Sequence, residues 1–242
     1  MTDLIVFSVA SNKYALKIEN IQRIIQATEL TEIPNSNHII DGMMSYEDGV
    51  IKVLNFRKLI GLPAYKDELA VLFQKLKDGH LSWMNALKQS VETGSKFLKT
   101  FNPHMCELGK WIDSFTAYDD RVSTVLASLV RHHKQLHFRG EEAYELRKTD
   151  KEKAQEIIDT DINDIFTNTM SALDTFVEEL DIVSNSLQKL LIYENKGMIF
   201  AIKVDSIEDI AHIEETDLIS TDKEEKYNDF LELDGVLDLD GV

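Results

Sequence analysis

Two histidines four residues apart, His133 and His137, are the residues whose type and spacing most clearly indicate chemistry. Apolar residues recur before them at helical spacing. Because residues i and i+4 lie one above the other on a helix face, both imidazoles could bind one metal ion, whereas His132 points about 100° away. The pair therefore indicates part of a metal site. The stripe on this face contains Val122, Leu126, Leu129, His133 and His137.

The other ligands of such a site have to come from distant segments. The sequence offers His80 in His-Leu-Ser-Trp and the only cysteine, Cys106, in Cys-Glu-Leu-Gly-Lys-Trp. A zincin protease is the competing interpretation of the histidine pair, but it needs a glutamate directly after the first histidine, where this chain has Lys134. A buried histidine taken singly is most often a hydrogen-bonded core residue. The spacing by itself thus leaves metal binding open.

Composition and charge exclude several classes of protein. The chain of 242 residues has a formal charge of -17, and residues 205–242 contain 14 acidic residues against two lysines. Such a surface repels phosphate, so no nucleic-acid partner is expected. No apolar run approaches the roughly 20 residues of a membrane span, and the first residues lack a signal-peptide pattern. We therefore predict a cytoplasmic protein without membrane insertion. Its single cysteine excludes an internal disulfide.

Residues 65–188 must position the candidate ligands, and their apolar residues recur at helical spacing. The pair Asn102-Pro103 offers an N-cap followed by a proline, so a second helix is predicted to begin there. Cys106 would be its fourth residue, where the positive end of the helix dipole favours the thiolate. A third helix carries the histidine pair, with a pattern that weakens near Gly140, and one or two amphipathic helices follow. The stripe of the first helix consists of His80, Trp83, Leu87, Val91 and Leu98.

The residues before this segment show β patterns. Residues 3–62 contain short apolar runs, with hairpin turns predicted at Ser11-Asn12 and at 46–49. Short strands closed by turns at this spacing favour a small barrel, although any small antiparallel sheet would give the same pattern.

The strand pattern returns after the helical segment. Residues 189–204 form two apolar runs around a turn at 194–197, and Asp234-Gly235 and Asp240-Gly241 mark two more turns. The strand that should follow the last turn is absent. We therefore expect the chain to lack its last strand.

The β segments resemble a known family. Residues 39–44 and 49–62 look like the middle of a CheW-like chemotaxis adaptor domain, and residues 198–209 look like its later segment. The resemblance covers 3–62 and 189–242. It implies two SH3-like β-barrels side by side, no catalytic residues, and a role in joining chemoreceptors to the histidine kinase CheA.

One departure from that family affects the implied partners. Its members commonly have Asn-Leu-Arg-Gly where this chain has Met44-Ser45-Tyr46-Glu47. The familiar arginine is missing, so its role in coupling to receptors is not carried over. CheA and chemoreceptors remain the partners that the resemblance as a whole implies.

The helical segment resembles a second family, the chemoreceptor zinc-binding (CZB) domain, a helical bundle with a three-His, one-Cys zinc core. Three separated motifs match in order: His80 with Trp83, Cys106-Glu107-Leu108-Gly109-Lys110-Trp111, and His133-Lys134-Gln135-Leu136-His137. The two tryptophans match family positions without being ligands. Carried over residue by residue, the zinc ligands are His80, Cys106, His133 and His137.

This donor set favours zinc over other metals. Imidazole nitrogen and thiolate sulfur are borderline-to-soft donors, and four of them fill a tetrahedral shell. No coordination position then remains for the water that hydrolysis needs. We therefore expect a structural or sensory site with zinc as its cofactor and no catalytic residues.

These observations predict an α+β protein in which a discontinuous CheW-like double SH3-like β-barrel is interrupted by a zinc-binding helical bundle. The predicted boundaries are 1–64 for the first CheW-like part, 65–188 for the bundle and 189–242 for the second part. The predicted function is a signalling adaptor that senses zinc or an oxidant and relays the signal to chemotaxis-type partners. A zinc-dependent enzyme with the β domain as its scaffold stays open as the alternative.

A homodimer through the bundle is also predicted. CZB domains resemble dimer-forming bundles, and the apolar stripe near the end of the helical segment exceeds what one bundle face must cover. His104 and His132 are expected to be solvated or to lie behind the ligands. The stripe consists of Ile158, Ile162, Ile165, Phe166, Leu173, Phe176, Leu180, Val183 and Leu187.

Overall fold

The computed structural model describes residues 2–117, 119–214, 218–219, 231 and 236–237. Contacts between residues divide the chain into two units. One unit joins Met1–Tyr65 to Ser184–Val242, and the other is Lys66–Val183. We call them the β unit and the helical unit. The domain boundaries predicted from the sequence remain predictions.

The β unit consists mainly of strands from both ends of the chain. A short helix, α1 (Phe56–Leu59), begins where the side chain of Asn55 accepts a hydrogen bond from the backbone N–H of Lys58. The strands are β1 (Thr2–Val9), β2 (Asn12–Lys17), β3 (Ile21–Gln26), β4 (Ile40–Tyr46), β5 (Gly49–Asn55), β6 (Lys189–Asn195), β7 (Met198–Val204), β8 (Ser206–Ile213), β9 (Leu218–Ile219) and β10 (Val236–Leu237).

Two larger sheets organise these strands. One has the order β2-β1-β8 and the other the order β3-β6-β7-β5-β4, while β9 pairs with β10. Neighbouring strands are antiparallel except β5 and β7, which are parallel. Strands after residue 188 therefore complete sheets that begin before residue 56.

The predicted α+β class is confirmed, but the described strands do not close into a barrel. Among the described residues, no ladder of backbone hydrogen bonds pairs β3 with β4, the edge strands of the five-stranded sheet. Thr31 forms an isolated bridge with Met43, and the hydroxyl of Tyr46 donates to Gln22 at 3.2 Å. Closure needs a continuous ladder of backbone hydrogen bonds, which these two contacts do not provide.

The hairpin turns test the sequence patterns closely. The turn predicted at 46–49 is confirmed, and the turn predicted at 194–197 forms at its last two residues, Lys196-Gly197, because Asn195 still pairs with Met198. The first turn lies at Ala10-Ser11, one residue earlier than predicted, because Val9 pairs with Asn12. Residues 4–7 in β1 are all buried, so this strand lacks the alternation of buried and exposed residues from which its register could be inferred.

The helical unit contains the long helices that carry the candidate ligands. A π-helical turn, Ile158–Ile162, separates α5 from α6. The helices are α2 (Tyr65–Thr93), α3 (Glu107–Ser114), α4 (Asp120–Leu146), α5 (Lys151–Ile157), α6 (Asn163–Glu178) and α7 (Leu180–Leu187).

Glycines explain two differences from the predicted helices. The first helix ends at Thr93 because Gly94 adopts a left-handed conformation with φ of 76°, so Leu98 lies outside the helix and is 84% exposed. The third helix continues through Gly140 rather than weakening there. A Cβ atom at that position would lie 2.4 Å from the indole ring of Trp83, so the glycine serves close helix packing.

The apolar stripe that suggested a dimer is largely covered within the chain. Five of its nine members are buried and the other four are half-buried. The stripe therefore no longer supports a dimer, which stays a prediction from the resemblance alone. The fully buried members, all below 2% exposure, are Ile158, Ile162, Leu173, Phe176 and Val183.

Two remaining expectations concern the ends of the chain and the membrane. The predicted turns at Asp234-Gly235 and Asp240-Gly241, and the strand expected after them, lie outside the described residues. No helix in the described part of the chain combines the length and the apolar character that crossing a bilayer requires.

Candidate metal centre

The structure brings the four predicted ligands together. His80 is on α2, Cys106 directly precedes α3, and His133 and His137 are one turn apart on α4. One donor atom from each residue lies within 4.8 Å of the others, and the three histidines are buried. Three helical segments thus converge on one small volume.

The distances to the cysteine sulfur suit a tetrahedral metal. The Sγ atom of Cys106 is 3.2 Å from Nε2 of His133 and 3.8 Å from Nε2 of His80. Usual zinc–sulfur and zinc–nitrogen bond lengths predict about 3.6 Å for this edge of a tetrahedron. The two distances lie on either side of that value, so these two sulfur–nitrogen pairs are close to the spacing that one zinc ion needs.

Cys106 is placed by the start of α3, although not as predicted. The helix begins at Glu107, and Cys106 is its N-cap because its Sγ accepts a hydrogen bond from the N–H of Gly109 at 3.2 Å. Asn102 does not cap α3: its side chain accepts from the N–H of His104 in a local turn. A Cβ atom at Gly109 would lie 1.7 Å from the carbonyl oxygen of Pro103, so glycine is required there.

The protonation state of Cys106 also differs from the expectation. Burial raises the pKa of the thiol, and the hydrogen bond from Gly109 only partly opposes this effect. The helix N-terminus therefore does not by itself hold the sulfur as a thiolate. A metal cation at the site would supply the missing stabilisation.

A backbone carbonyl orients His80. Its Nδ1 lies 3.0 Å from the carbonyl oxygen of Leu76, which can only accept, so Nδ1 carries the proton and Nε2 is left as the free donor toward the cluster. Metal-binding histidines are commonly oriented in this way. Sequence reasoning missed Leu76, because a backbone acceptor four residues earlier has no side-chain signal.

His137 supplies the test of whether a metal fits. The residue is 0% exposed, and neither of its ring nitrogens has a described partner at full hydrogen-bond geometry, although the backbone carbonyls of Thr100 and Phe101 act on its pKa. An unpaired buried polar group costs about 1–3 kcal/mol, and such groups are rare in folded proteins. A metal ion among the four donors would give one of these nitrogens a partner.

Burial favours the neutral form of all three imidazoles, which is the form in which histidine binds a metal. Burial, followed by the charges of the neighbouring histidines, lowers the pKa of His133 to about 2. Burial and His80 lower the pKa of His137 to about 4, against the opposing effect of the backbone carbonyls of Thr100 and Phe101. Burial also lowers the pKa of His80, against the opposing effect of the Leu76 carbonyl.

The two tryptophans of the matched motifs have different surroundings. The ring of Trp83 lies 5.0 Å from that of His137, and its Nε1 donates to the carbonyl of Thr100 at 2.9 Å, which ties α2 to the segment before Cys106. Trp111 packs instead against Phe73 and other phenylalanines. Neither tryptophan offers a metal-binding atom.

The two other histidines nearby lie outside the four-donor group. His104 is exposed, with its Nδ1 2.9 Å from a carboxylate oxygen of Asp113. His132 is half-buried, and its Nε2 lies 3.0 Å from the guanidinium of Arg131.

A cavity of about 40 Å³ lies beside the cluster and has room for a few water molecules. It is too small for an organic substrate. It is lined by Pro103, His104, Gly109, Ile112, Asp113, Val130, His133 and Lys134.

Comparison with known families identifies both parts of the chain. Residues 3–79 match the family model of the CheW-like domain, and residues 80–144 match that of the chemoreceptor zinc-binding domain. The chain joins a CheW-like domain to a CZB domain. All four clustered donors lie within the residues matched to the CZB domain, and zinc as the cofactor is confirmed by this match.

Individual relatives of the two domains are distant. A chemotaxis protein CheW from Thermotoga maritima is 20% identical over 83 residues, which are 34% of this chain and 55% of that protein. The match thus spans about half the length of this relative.

Two solved structures are also similar. A scaffolding protein, TtCheW from Thermoanaerobacter tengcongensis, is 11% identical with a TM-score of 0.38, over 90% of this chain and 70% of that one. The regulatory CZB domain of DgcZ is 18% identical with a TM-score of 0.42, over 48% of this chain and 98% of that one.

Proposed function

We propose that the chain is a chemotaxis-type signalling adaptor whose CZB domain senses zinc or an oxidant and whose CheW-like domain relays the signal to partner proteins. In this proposal His80, Cys106, His133 and His137 are the zinc ligands. The observation that carries it is the convergence of these four donors around His137, whose buried nitrogens have no hydrogen-bond partner among the described residues.

The arrangement of the donors favours sensing over catalysis. When bound, zinc supplies a cross-link between α2, the start of α3, and α4. His80 is held in the ligating tautomer by Leu76, and Cys106 is held at the helix start by Gly109. Four protein donors leave no position for a metal-bound water, which favours the adaptor over a zinc-dependent enzyme.

Cys106 is the proposed point of action of an oxidant. It is half-buried, and Pro103 and Gly109, which contact its sulfur, also line the small cavity. A zinc-bound thiolate could take the oxygen of hypochlorous acid, which gives a sulfenic acid and releases chloride. Sulfur is oxidised and chlorine is reduced. The sulfenic acid is the weaker ligand, so zinc would be released more easily.

CheA and chemoreceptors are the proposed partners, because the chain has a CheW-like domain and a relative is a chemotaxis protein CheW. Tyr46 stands in the segment where the family commonly has its arginine, and it bonds to Gln22, so the contact to receptors would differ in detail.

A pull-down of CheA and receptor cytoplasmic fragments by the full chain tests the relay. It is made with zinc, with a chelator, and after a stoichiometric dose of oxidant. Capture is expected to change when zinc is removed or the thiol oxidised. Equal capture in all three conditions would contradict the relay. If elemental analysis finds no zinc in the purified protein, the proposed sensor is contradicted.

The resemblance to dimer-forming CZB domains also leads us to propose a homodimer. Light scattering at micromolar concentration with zinc present should give twice the chain mass of 27.7 kDa. A monomeric mass would contradict the proposal.

A further inference from the structure

A buried ion pair lies at the place where the chain leaves the β unit. The residue Arg57, in α1, is only 1% exposed. Its Nε and Nη2 atoms donate to the two carboxylate oxygens of Asp205, at 2.8 Å and 2.7 Å. Bidentate pairs of this kind are strong and geometrically specific. We call Arg57 and Asp205 the clamp.

The clamp contacts both larger sheets. Asp205 lies between β7 of the five-stranded sheet and β8 of the three-stranded sheet. Its carboxylate also accepts from the N–H of Ala10, in the turn between β1 and β2, at 2.8 Å. Arg57 follows β5 directly within α1. A displacement of the ion pair would therefore disturb both sheets.

The clamp also contacts the helical connections to the inserted segment. On the outgoing side, the guanidinium carbon of Arg57 lies 4.6 Å from the ring centroid of Tyr65, the first residue of α2. On the returning side, the Nε2 of Gln188, the residue after α7, donates to Asp205 at 3.1 Å. One ion pair thus contacts Tyr65 and Gln188, the β-unit residues through which the chain leaves for the helical unit and returns from it.

We propose that Arg57 and Asp205 act as the coupling element through which a change in the inserted helices reaches both sheets of the CheW-like domain. The inference deepens the relay proposed above and rests on it. Both crossings are helical, so a shift of the first turn of α2 or the end of α7 acts directly on Tyr65 or Gln188. Arg57 is buried, Asp205 is partly buried, and each contacts further residues of the β unit, so we expect the ion pair to transmit the shift instead of absorbing it.

The test disconnects the clamp from the helices without breaking the ion pair. The double variant Tyr65→Leu/Gln188→Leu removes the aromatic ring that contacts the Arg57 guanidinium and the hydrogen bond that the Gln188 side chain donates to Asp205. The single variant Tyr65→Phe keeps both the ring and Gln188, and it is the conservative control. A second control, Lys66→Ala/Asp181→Ala, removes an exposed ion pair of 3.0 Å beside the same crossing, between α2 and α7.

Hydrogen–deuterium exchange of the full chain, zinc-loaded and then chelated, is the readout. In the wild type and both controls, chelation is expected to raise exchange around Ala10 and Asn55 by about fivefold or more. In the double variant the rise should fall below about twofold while zinc content stays at that of the wild type. The proposed role of the clamp would be overturned if the double variant showed the full rise in exchange, or if either control also lost that rise.

Two further arms separate this inference from the proposed function. If the chain binds no zinc, the bundle is loosened instead by Leu129→Ala, a fully buried position on α4, and the same difference between wild type and double variant is expected. If the double variant does not fold, each single substitution is measured and should lower the response. In either arm, an exchange response equal to that of the wild type would overturn the proposed role of the clamp, whether or not the chain binds zinc.

Discussion

The two units contain buried polar groups of opposite kinds. In the β unit, Arg57 is buried but donates to Asp205 and stacks on Tyr65, so its charge is satisfied by protein alone. In the helical unit, His137 is equally buried, yet neither ring nitrogen has a hydrogen-bond partner among the described residues. The buried charge of Arg57 is satisfied within the protein, whereas the unpaired nitrogens of His137 mark a site that needs a ligand.

The largest expected effect tests the unsatisfied cluster. Cys106→Ala and His133→Ala each remove one bond of a four-ligand shell, so zinc affinity should fall by about 100-fold or more. Elemental analysis of the purified variants measures the zinc that remains. His132→Ala is the matched control and should keep its zinc, because that residue lies outside the group. Unchanged zinc in both ligand variants would contradict the assignment.

The second effect tests the satisfied ion pair. Arg57→Met leaves the carboxylate of Asp205 without its buried partner, which should lower the free energy of unfolding by about 3–5 kcal/mol in chemical denaturation. Zinc content should not change, because Arg57 is not among the clustered donors. The double variant Arg57→Met/Asp205→Leu should recover part of the loss. A cost below about 1 kcal/mol for Arg57→Met would show that the pair is not a satisfied buried charge of the kind described.

A third effect contrasts two helical glycines. Gly140→Ala places a Cβ atom 2.4 Å from the Trp83 ring and should cost about 1–3 kcal/mol, although alanine is the better helix former. Gly79→Ala is the control, because no atom lies within 4 Å of its added Cβ. That substitution should stabilise α2 by up to about 1 kcal/mol. Thermal unfolding of the zinc-loaded proteins measures both, and a stabilised Gly140→Ala would refute the close packing of α2 on α4.

The smallest effect concerns oxidation. A stoichiometric dose of hypochlorous acid should raise zinc release from the wild type by about tenfold, and a thiol reductant should restore binding. Cys106→Asp keeps a ligand without a thiol and should not respond. Mass spectrometry locates the added oxygen. If Cys106 is oxidised while zinc stays bound, zinc concentration becomes the better candidate signal.

Much of the candidate site was predictable from local sequence. The i, i+4 spacing of His133 and His137 places both side chains on one face of a helix, and that face is buried in the structure. The residue types of the remaining donors, His80 and Cys106, limit the metal to those that prefer imidazole and thiolate. The hairpin turn at 194–197 was also predictable from the sequence. In the structure Lys196 and Gly197 both adopt the positive φ that such a turn requires.

Other features were decided only by contacts between distant residues. The start of α3 at Glu107 depends on the sulfur of Cys106 and on Pro103 packing against Gly109, whereas local sequence favoured Asn102. The helical pattern weakens near Gly140 in the sequence, whereas in the structure this glycine lies within α4 and packs against Trp83.

The sequence by itself determined which face of α4 would be buried and which metal the donors would prefer. Only the tertiary structure decided that Arg57 would meet Asp205, 148 residues away, and that both nitrogens of His137 would lack a hydrogen-bond partner among the described residues. Periodicity reports the environment of a residue along its own element. Whether a buried polar group is satisfied depends on what other elements bring to it, which no local pattern records.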